Sequence, residues 1–273
     1  MTEATDTSDL NVLTFGEGTD KPALIFVHGM AGSAGLWGLY YAFWLMRRYR
    51  IVAYDLRGHG LSEATSQGYA LADQAEDLER VRRHWVGGPA TVVGYSYGGH
   101  IATQWARTYP EHARGLVVLD SPPLPVDERA IDDMLDGLSQ VLGGDFEPEG
   151  GFLDSIKDSL RGDIESQRRQ VRRFKSRLDA LHDTRFRAEV LADEPFGDDD
   201  FRAIQCPTQL IYSTGDGNRA YAEHQQRLIP DCGLAMVEAG HDLVMTHPAE
   251  VRRLLEVFMA RLAAHPPIVT DRR

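Results

Sequence analysis

Residues 90–95, Ala-Thr-Val-Val-Gly-Tyr, form an apolar run that leads into Gly94-x-Ser96-x-Gly98. The following residues, His100-Ile-Ala-Thr-Gln-Trp-Ala-Arg107, have helical character. A serine at a strand-to-helix turn is held up at the edge of a sheet on a tight backbone. Side chains at the glycine positions would collide with the adjoining strand and helix. Ser96 is therefore a candidate nucleophile. Three spaced residues are a weak signal alone. The decision rests on whether a base, an acid and an oxyanion-binding loop fall at the ends of neighbouring strands.

The rest of the chain supplies those strands. Apolar runs predict strands over 10–15, 23–27, 50–55, 115–120, 207–213 and 234–238. Helical periodicity predicts helices over 36–46, 71–85, 98–109, 219–228 and 248–264. In the last of these Val251, Leu254, Leu255, Phe258 and Leu262 make one apolar stripe. Strands alternating with helices imply right-handed βαβ units and a mostly parallel sheet. The rhythm breaks over 124–202, where helices are expected at 127–142, 151–160 and 165–181. The expected organisation is an α/β core of 1–123 and 203–273, interrupted by a helical cap of 124–202. Such an insertion would lie over the carboxyl edge of the sheet, where open α/β sheets bind ligands. An arginine-rich run, 167–177, falls in the cap. It reads as a solvated face, with docking of an acidic partner such as an acyl carrier protein as the alternative.

Composition excludes several classes. The 273 residues suffice for one large α/β domain. A net charge of −12 argues against a nucleic-acid partner, which would need a basic face. Cys206 and Cys232 have no paired spacing and fit a reducing compartment. Residues 1–9 are acidic and polar, unlike a secretory signal, and no apolar run reaches the length of a membrane span. These features predict a cytoplasmic protein without a membrane partner. Lysine is confined to Lys21, Lys157 and Lys175 while arginine is abundant, an association with bacterial genomes of high GC content.

A serine hydroxyl needs a base within hydrogen-bond reach, itself oriented by a carboxylate. His241, in Glu238-Ala-Gly-His-Asp-Leu-Val244, follows a predicted strand and is the candidate base. Asp216 follows the strand ending at Ser213 and is the preferred acid. Asp120 also ends a strand and competes with it. For the oxyanion, one backbone N–H is expected from Tyr97 and a second from the loop His28-Gly-Met-Ala-Gly-Ser33, at Met30. His28 has no companion ligand at metal-binding spacing and is expected to hydrogen-bond within its loop.

These motifs resemble the α/β-hydrolase fold superfamily. The matching residues are His28-Gly29, Asp55-Leu-Arg-Gly-His-Gly-Leu-Ser62, Gly94-Tyr-Ser-Tyr-Gly98, Ser213-Thr-Gly-Asp216 and Gly240-His241. In order and spacing they resemble the capped esterase, lactonase and haloperoxidase-like branch. The resemblance implies an order of Ser96, Asp216 and His241 in the chain and a structural role for Asp55, Arg57 and His59. Ser96 stands where epoxide hydrolases and haloalkane dehalogenases of this fold carry an aspartate. The lipase-type His-Gly-Gly-Gly loop is absent, and Tyr95 stands where ring-cleavage C–C hydrolases usually carry asparagine.

The implied reaction is acyl transfer from a small-molecule substrate through an acyl-enzyme, with no cofactor and no metal. Neither a dinucleotide nor a P-loop glycine pattern occurs. A small or medium apolar ester or lactone is the expected substrate. The cluster of Trp37, Tyr40, Tyr41, Phe43 and Trp44 reads mostly as core, with Trp37 and Tyr95 the candidates for a pocket wall. Two alternatives stay open: a biosynthetic thioesterase, cyclase or acyltransferase on the same residues, and a receptor-like binding protein of low turnover.

Overall fold

The computed structural model describes residues 7–264 except 17, 19, 127, 130, 132–175, 177 and 178. Among the described residues seven strands form one sheet in the order β1-β3-β2-β4-β5-β6-β7. They are β1 (Val12–Phe15), β2 (Ala23–Val27), β3 (Arg50–Tyr54), β4 (Ala90–Tyr95), β5 (Ala113–Leu119), β6 (Thr208–Ser213) and β7 (Cys232–Val237). Only β1 runs antiparallel to its neighbour, β3; the pairs from β3 through β7 are parallel. Every residue of β2 and β4 is buried, as continuous apolar runs require when helices cover both faces of a sheet.

Alternate strand residues feed two cores. Ile25, Val27, Val92, Leu116, Val118 and Leu210 face α3 (Leu71–Val81) and α4 (Tyr97–Thr108). Leu24, Phe26, Val93, Val117 and Ile211 pack with Trp37, Tyr41 and the apolar stripe of the last helix, Pro248–Ala264. Gly115 lets that helix approach β5, since a Cβ there would lie 2.8 Å from Leu262 Cδ1.

The helix expected at 36–46 is broken into α1 (Gly35–Trp37), a π turn (Gly38–Ala42) and α2 (Phe43–Leu45). Tyr41, inside the π turn, is fully buried and donates to Val244 O at 2.7 Å, a contact 203 residues away that no local periodicity encodes. The helix expected at 71–85 likewise passes into a π turn at Arg82–Val86 and ends at Gly87, φ 78°. The predicted helices 219–228 and 248–264 match α7 (Arg219–Leu228) and α9 (Pro248–Ala264).

Of the expected cap, helices 127–142 and 151–160, most of 165–181 and most of the arginine run lie outside the described residues. Its described end carries α5 (Phe186–Ala192) and α6 (Asp198–Arg202), whose Phe186, Val190 and Phe201 join the α3/α4 core. Two acidic residues tie this end to the core. Glu189 Oε2 accepts from the N–H groups of Gly68 and Tyr69 at 2.8 and 2.7 Å. Asp193 Oδ1 accepts from Leu71 N–H, the first of α3, at 3.0 Å, where a helix N-terminus favours negative charge.

Candidate active site

The sharp turn between β4 and α4 places Ser96 at φ 53°, ψ −124°, a backbone that side-chain-bearing residues rarely adopt. The surrounding glycines explain how it persists. A Cβ on Gly94 would lie 2.2 Å from Gly98 O, and a Cβ on Gly98 would lie 2.5 Å from both Val27 O and His28 O. Ser96 N–H donates to Leu119 O at 2.9 Å, and Ser121 Oγ donates to Ser96 O at 2.6 Å. The turn is thus hydrogen-bonded to the end of β5 and closely packed against the end of β2 and the loop after it.

His241 arrives from the loop between β7 and α8 (Leu243–Thr246), with its Nε2 2.9 Å from Ser96 Oγ. Its Nδ1 lies 2.8 Å from Asp120 Oδ2 and 3.4 Å from Asp216 Oδ2. Both carboxylates that compete for this position in the sequence therefore reach the ring, and the shorter contact belongs to Asp120 rather than the preferred Asp216. Adjacency explains this. β5 lies beside β4, so Asp120 stands at the strand end next to Ser96, whereas Asp216 must reach back from beyond β6. Asp120 sits at φ 44° and is fully buried, and it accepts from Ser213 N–H at 2.8 Å and Ser213 Oγ at 3.2 Å. Against the cost of burial, hydrogen bonds that include the one from His241 hold its carboxyl below the usual range.

Asp120, Asp216 and His241 offer ligand atoms within 4.8 Å of one another, a set able to coordinate a cation. A cation there would take Nδ1, the atom whose proton orients the ring between the carboxylates and Ser96.

Tyr95, a pocket candidate in the sequence, has its ring centroid 5.3 Å from that of His241 and donates from its OH to His241 O at 2.9 Å. Burial pushes its phenol pKa up, so it stays a donor. With Tyr41 on Val244 O, two buried tyrosines hold the histidine loop and the short helix α8 that follows it. Sequence reasoning missed this role, because the acceptor carbonyls lie 146 and 203 residues away. Tyr95→Phe keeps the ring and loses the hydrogen bond. It is expected to lower kcat about tenfold with little change in KM, by letting the imidazole drift, as steady-state kinetics will show.

Trp37, the other pocket candidate, is fully buried, its ring centroid 4.8 Å from that of Phe26 and 5.3 Å from that of Tyr41. It forms core beneath the sheet rather than an open wall.

Met30 lies in the β2 loop beside Ala31, whose φ is 55°. Tyr97 opens α4, where first-turn N–H groups have no helical acceptor. His28, buried, accepts from Leu56 N–H at Nε2 (2.9 Å) and donates from Nδ1 to Gly29 O (2.7 Å). Burial keeps it neutral by lowering its pKa. Asp55 braces the same loop, accepting from Ala34 N–H, Leu61 N–H and Asn11 Nδ2. Gly60 is required beside it, since a Cβ there would lie 2.2 Å from Oδ2. Arg57 pairs in a fork with the Asp77 carboxylate at 2.8–3.0 Å.

Tyr97 OH meets Asp193 Oδ2 at 3.3 Å. Burial, reinforced by Asp73 and Glu189, pushes the Asp193 carboxyl up to about 6 despite the hydrogen bonds from Leu71 and Tyr97. The folded protein therefore holds this proton more tightly than the unfolded chain. The resulting stabilisation is complete below about pH 4 and lost as pH rises through about 6. Against Asp193→Asn, wild type is expected to be relatively more stable at about pH 4 than at about pH 7, read from urea midpoints.

The fold agrees with the relatives found for the chain. The family described as alpha/beta hydrolase fold matches residues 22–248. The chain belongs to this family. Among curated proteins it is 32% identical over 123 residues to the 2-(acetamidomethylene)succinate hydrolase of Mesorhizobium japonicum, covering 45% of this chain and 42% of that protein. The chain thus matches less than half the length of that relative. Among solved structures, a thermophilic esterase from Thermogutta terrifontis superposes with TM-score 0.70 at 22% identity, covering 93% of both chains. The enol-lactonase of Burkholderia xenovorans superposes with TM-score 0.67 at 14% identity, covering 92% and 96%. Likenesses at these identities establish the shared fold. Among the described residues no helix is long and apolar enough to cross a membrane.

Proposed function

We propose that this protein is a serine hydrolase that cleaves a small or medium, uncharged carboxylic ester or lactone through an acyl-enzyme. The observation that carries the reading is the continuous relay from Ser96 Oγ through His241 to a buried carboxylate, at 2.9 and 2.8 Å. Ser96 attacks the carbonyl carbon as His241 Nε2 takes its proton. Asp120 holds Nδ1–H and stabilises the imidazolium that forms. The Met30 and Tyr97 N–H groups receive the oxyanion, worth several kcal/mol where water is excluded. His241 then protonates the leaving oxygen, and water, activated by the same imidazole, releases the acid.

The electrostatics favour an uncharged substrate. Asp120 and the partly exposed Asp216 flank His241 in a chain of net charge −12, which disfavours an anionic acyl group beside the ring. The Glu189 and Asp193 ties, which hold the described end of the 124–202 insertion to the start of α3, support reading that insertion as a cap. Free Cys206 and Cys232 support a reducing, cytoplasmic setting. A panel of purified substrates tests the activity. Turnover of short-chain nitrophenyl esters or neutral lactones, well above that of long-chain esters, is expected. Activity confined to dianionic or carrier-bound substrates would contradict it.

A further inference from the structure

Ser96 is held by its carbonyl as well as by its side chain. Ser96 O accepts from Ser121 Oγ at 2.6 Å and from Gly99 N–H at 2.8 Å. The Ser121 hydroxyl has one proton to give and two neighbours, Ser96 O and His100 Nε2. The second lies 3.4 Å away, so the carbonyl takes the proton. Ser121 is buried, and Gly99 makes room for it: a Cβ there would lie 2.8 Å from Ser121 Oγ and 2.9 Å from Ser121 Cβ. The Ser121 carbonyl accepts from Tyr212 OH at 2.7 Å, and that phenol oxygen accepts from Gln225 Nε2 at 2.9 Å. The hydroxyl is therefore anchored from the β6 side, directly after Asp120 in the chain.

Ser96 O and Tyr97 N–H belong to one peptide unit. That unit is trans and planar, so its C=O and its N–H point in opposite directions. Fixing the carbonyl toward Ser121 and Gly99 therefore fixes the N–H on the opposite side. We propose that Ser121 is a positioning residue for oxyanion binding: its hydroxyl holds the Ser96–Tyr97 peptide plane and so aims the Tyr97 N–H at the developing oxyanion. The proposal rests on the reading of Ser96 as the nucleophile and of Tyr97 N–H as an oxyanion donor. A carbonyl that accepts two hydrogen bonds also polarises its peptide, which strengthens the N–H as a donor. When Ser121 loses its hydroxyl, Gly99 N–H stays on Ser96 O, so the carbonyl is not orphaned and the fold survives. The plane is then free to tilt about the remaining bond, and the strained backbone of Ser96, φ 53°, favours that relaxation.

Ser121→Ala tests this on a short-chain nitrophenyl ester, with folding checked by thermal melts and the reading itself by fluorophosphonate labelling. Acylation and deacylation each pass through an oxyanion, so both slow together and KM is little changed. kcat is expected to fall about 10–100-fold, less than when a donor is removed outright. A short alkyl trifluoromethyl ketone, whose adduct with Ser96 carries an oxyanion, should lose affinity by a similar factor, well beyond any rise in KM. A merely structural role would lower the thermal midpoint and leave kcat and ketone affinity in place. An unchanged kcat overturns the proposal, as does an unchanged ketone affinity or a KM that rises as much as that affinity falls. If Ser121→Ala does not fold, Ser121→Cys replaces it on the same criteria, because a thiol is a weak donor. A wild-type protein that takes no label would instead defeat the serine-hydrolase reading itself, and this proposal with it.

Discussion

Ser96→Ala is expected to lower kcat by roughly 10⁴–10⁶-fold, with KM little changed and the thermal midpoint near wild type. The three readouts separate the nucleophile from a structural residue. The Oγ contributes little to the fold: it faces His241 Nε2 at 2.9 Å, and the turn is held instead by the backbone of Ser96, through Leu119 O and Ser121 Oγ. On the proposed mechanism, removing it takes away the bond-forming atom and leaves the Met30 and Tyr97 N–H groups in place. The residual rate should therefore stay above that of uncatalysed hydrolysis. His241→Ala should fall in the same range, since residues of one relay fail together rather than additively.

The second large effect is on folding. Gly98→Ala is expected to destabilise the protein by about 3 kcal/mol or more, a loss measurable as a shift in urea midpoint. A methyl at this position meets the carbonyl oxygens of Val27 and His28 at 2.5 Å. Both belong to or adjoin a central buried strand that cannot give way as a flexible side chain would. The displaced turn would also move Ser96 relative to the β2 loop, so activity should fall along with stability. Gly87→Ala is the useful contrast, because there a Cβ meets nothing within 4 Å and the strain of φ 78° is the only penalty. About 1 kcal/mol is expected at that site.

Much of this architecture could be read from the chain. The buried strands 23–27 and 90–95 announce themselves by unbroken apolar runs, and α7 and α9 by their periodicity. Ser96 was legible between Gly94 and Gly98, and His241 directly after Gly240, each just past the carboxyl end of a strand. The relative reach of Asp120 and Asp216 was not. Both follow strands, and only the order β4-β5-β6 shows that both carboxylates approach the same ring nitrogen, Asp120 at 2.8 Å and Asp216 at 3.4 Å. Tyr95 and Trp37 were ambiguous for a similar reason. A large aromatic near a site looks alike in sequence whether it lines a pocket, fills the core as Trp37 does, or bonds a remote carbonyl as Tyr95 does. The π turns at Gly38–Ala42 and Arg82–Val86 also escaped, since the helical periodicity runs on through both segments.

The central claim, that the relay makes Ser96 a reactive nucleophile, is tested most directly by intact-mass analysis after exposure to a fluorophosphonate. The wild-type protein should gain a single adduct that peptide mapping places on Ser96, and Ser96→Ala should gain none. A wild-type protein that remains unmodified, or that carries its adduct on another residue, would contradict the account.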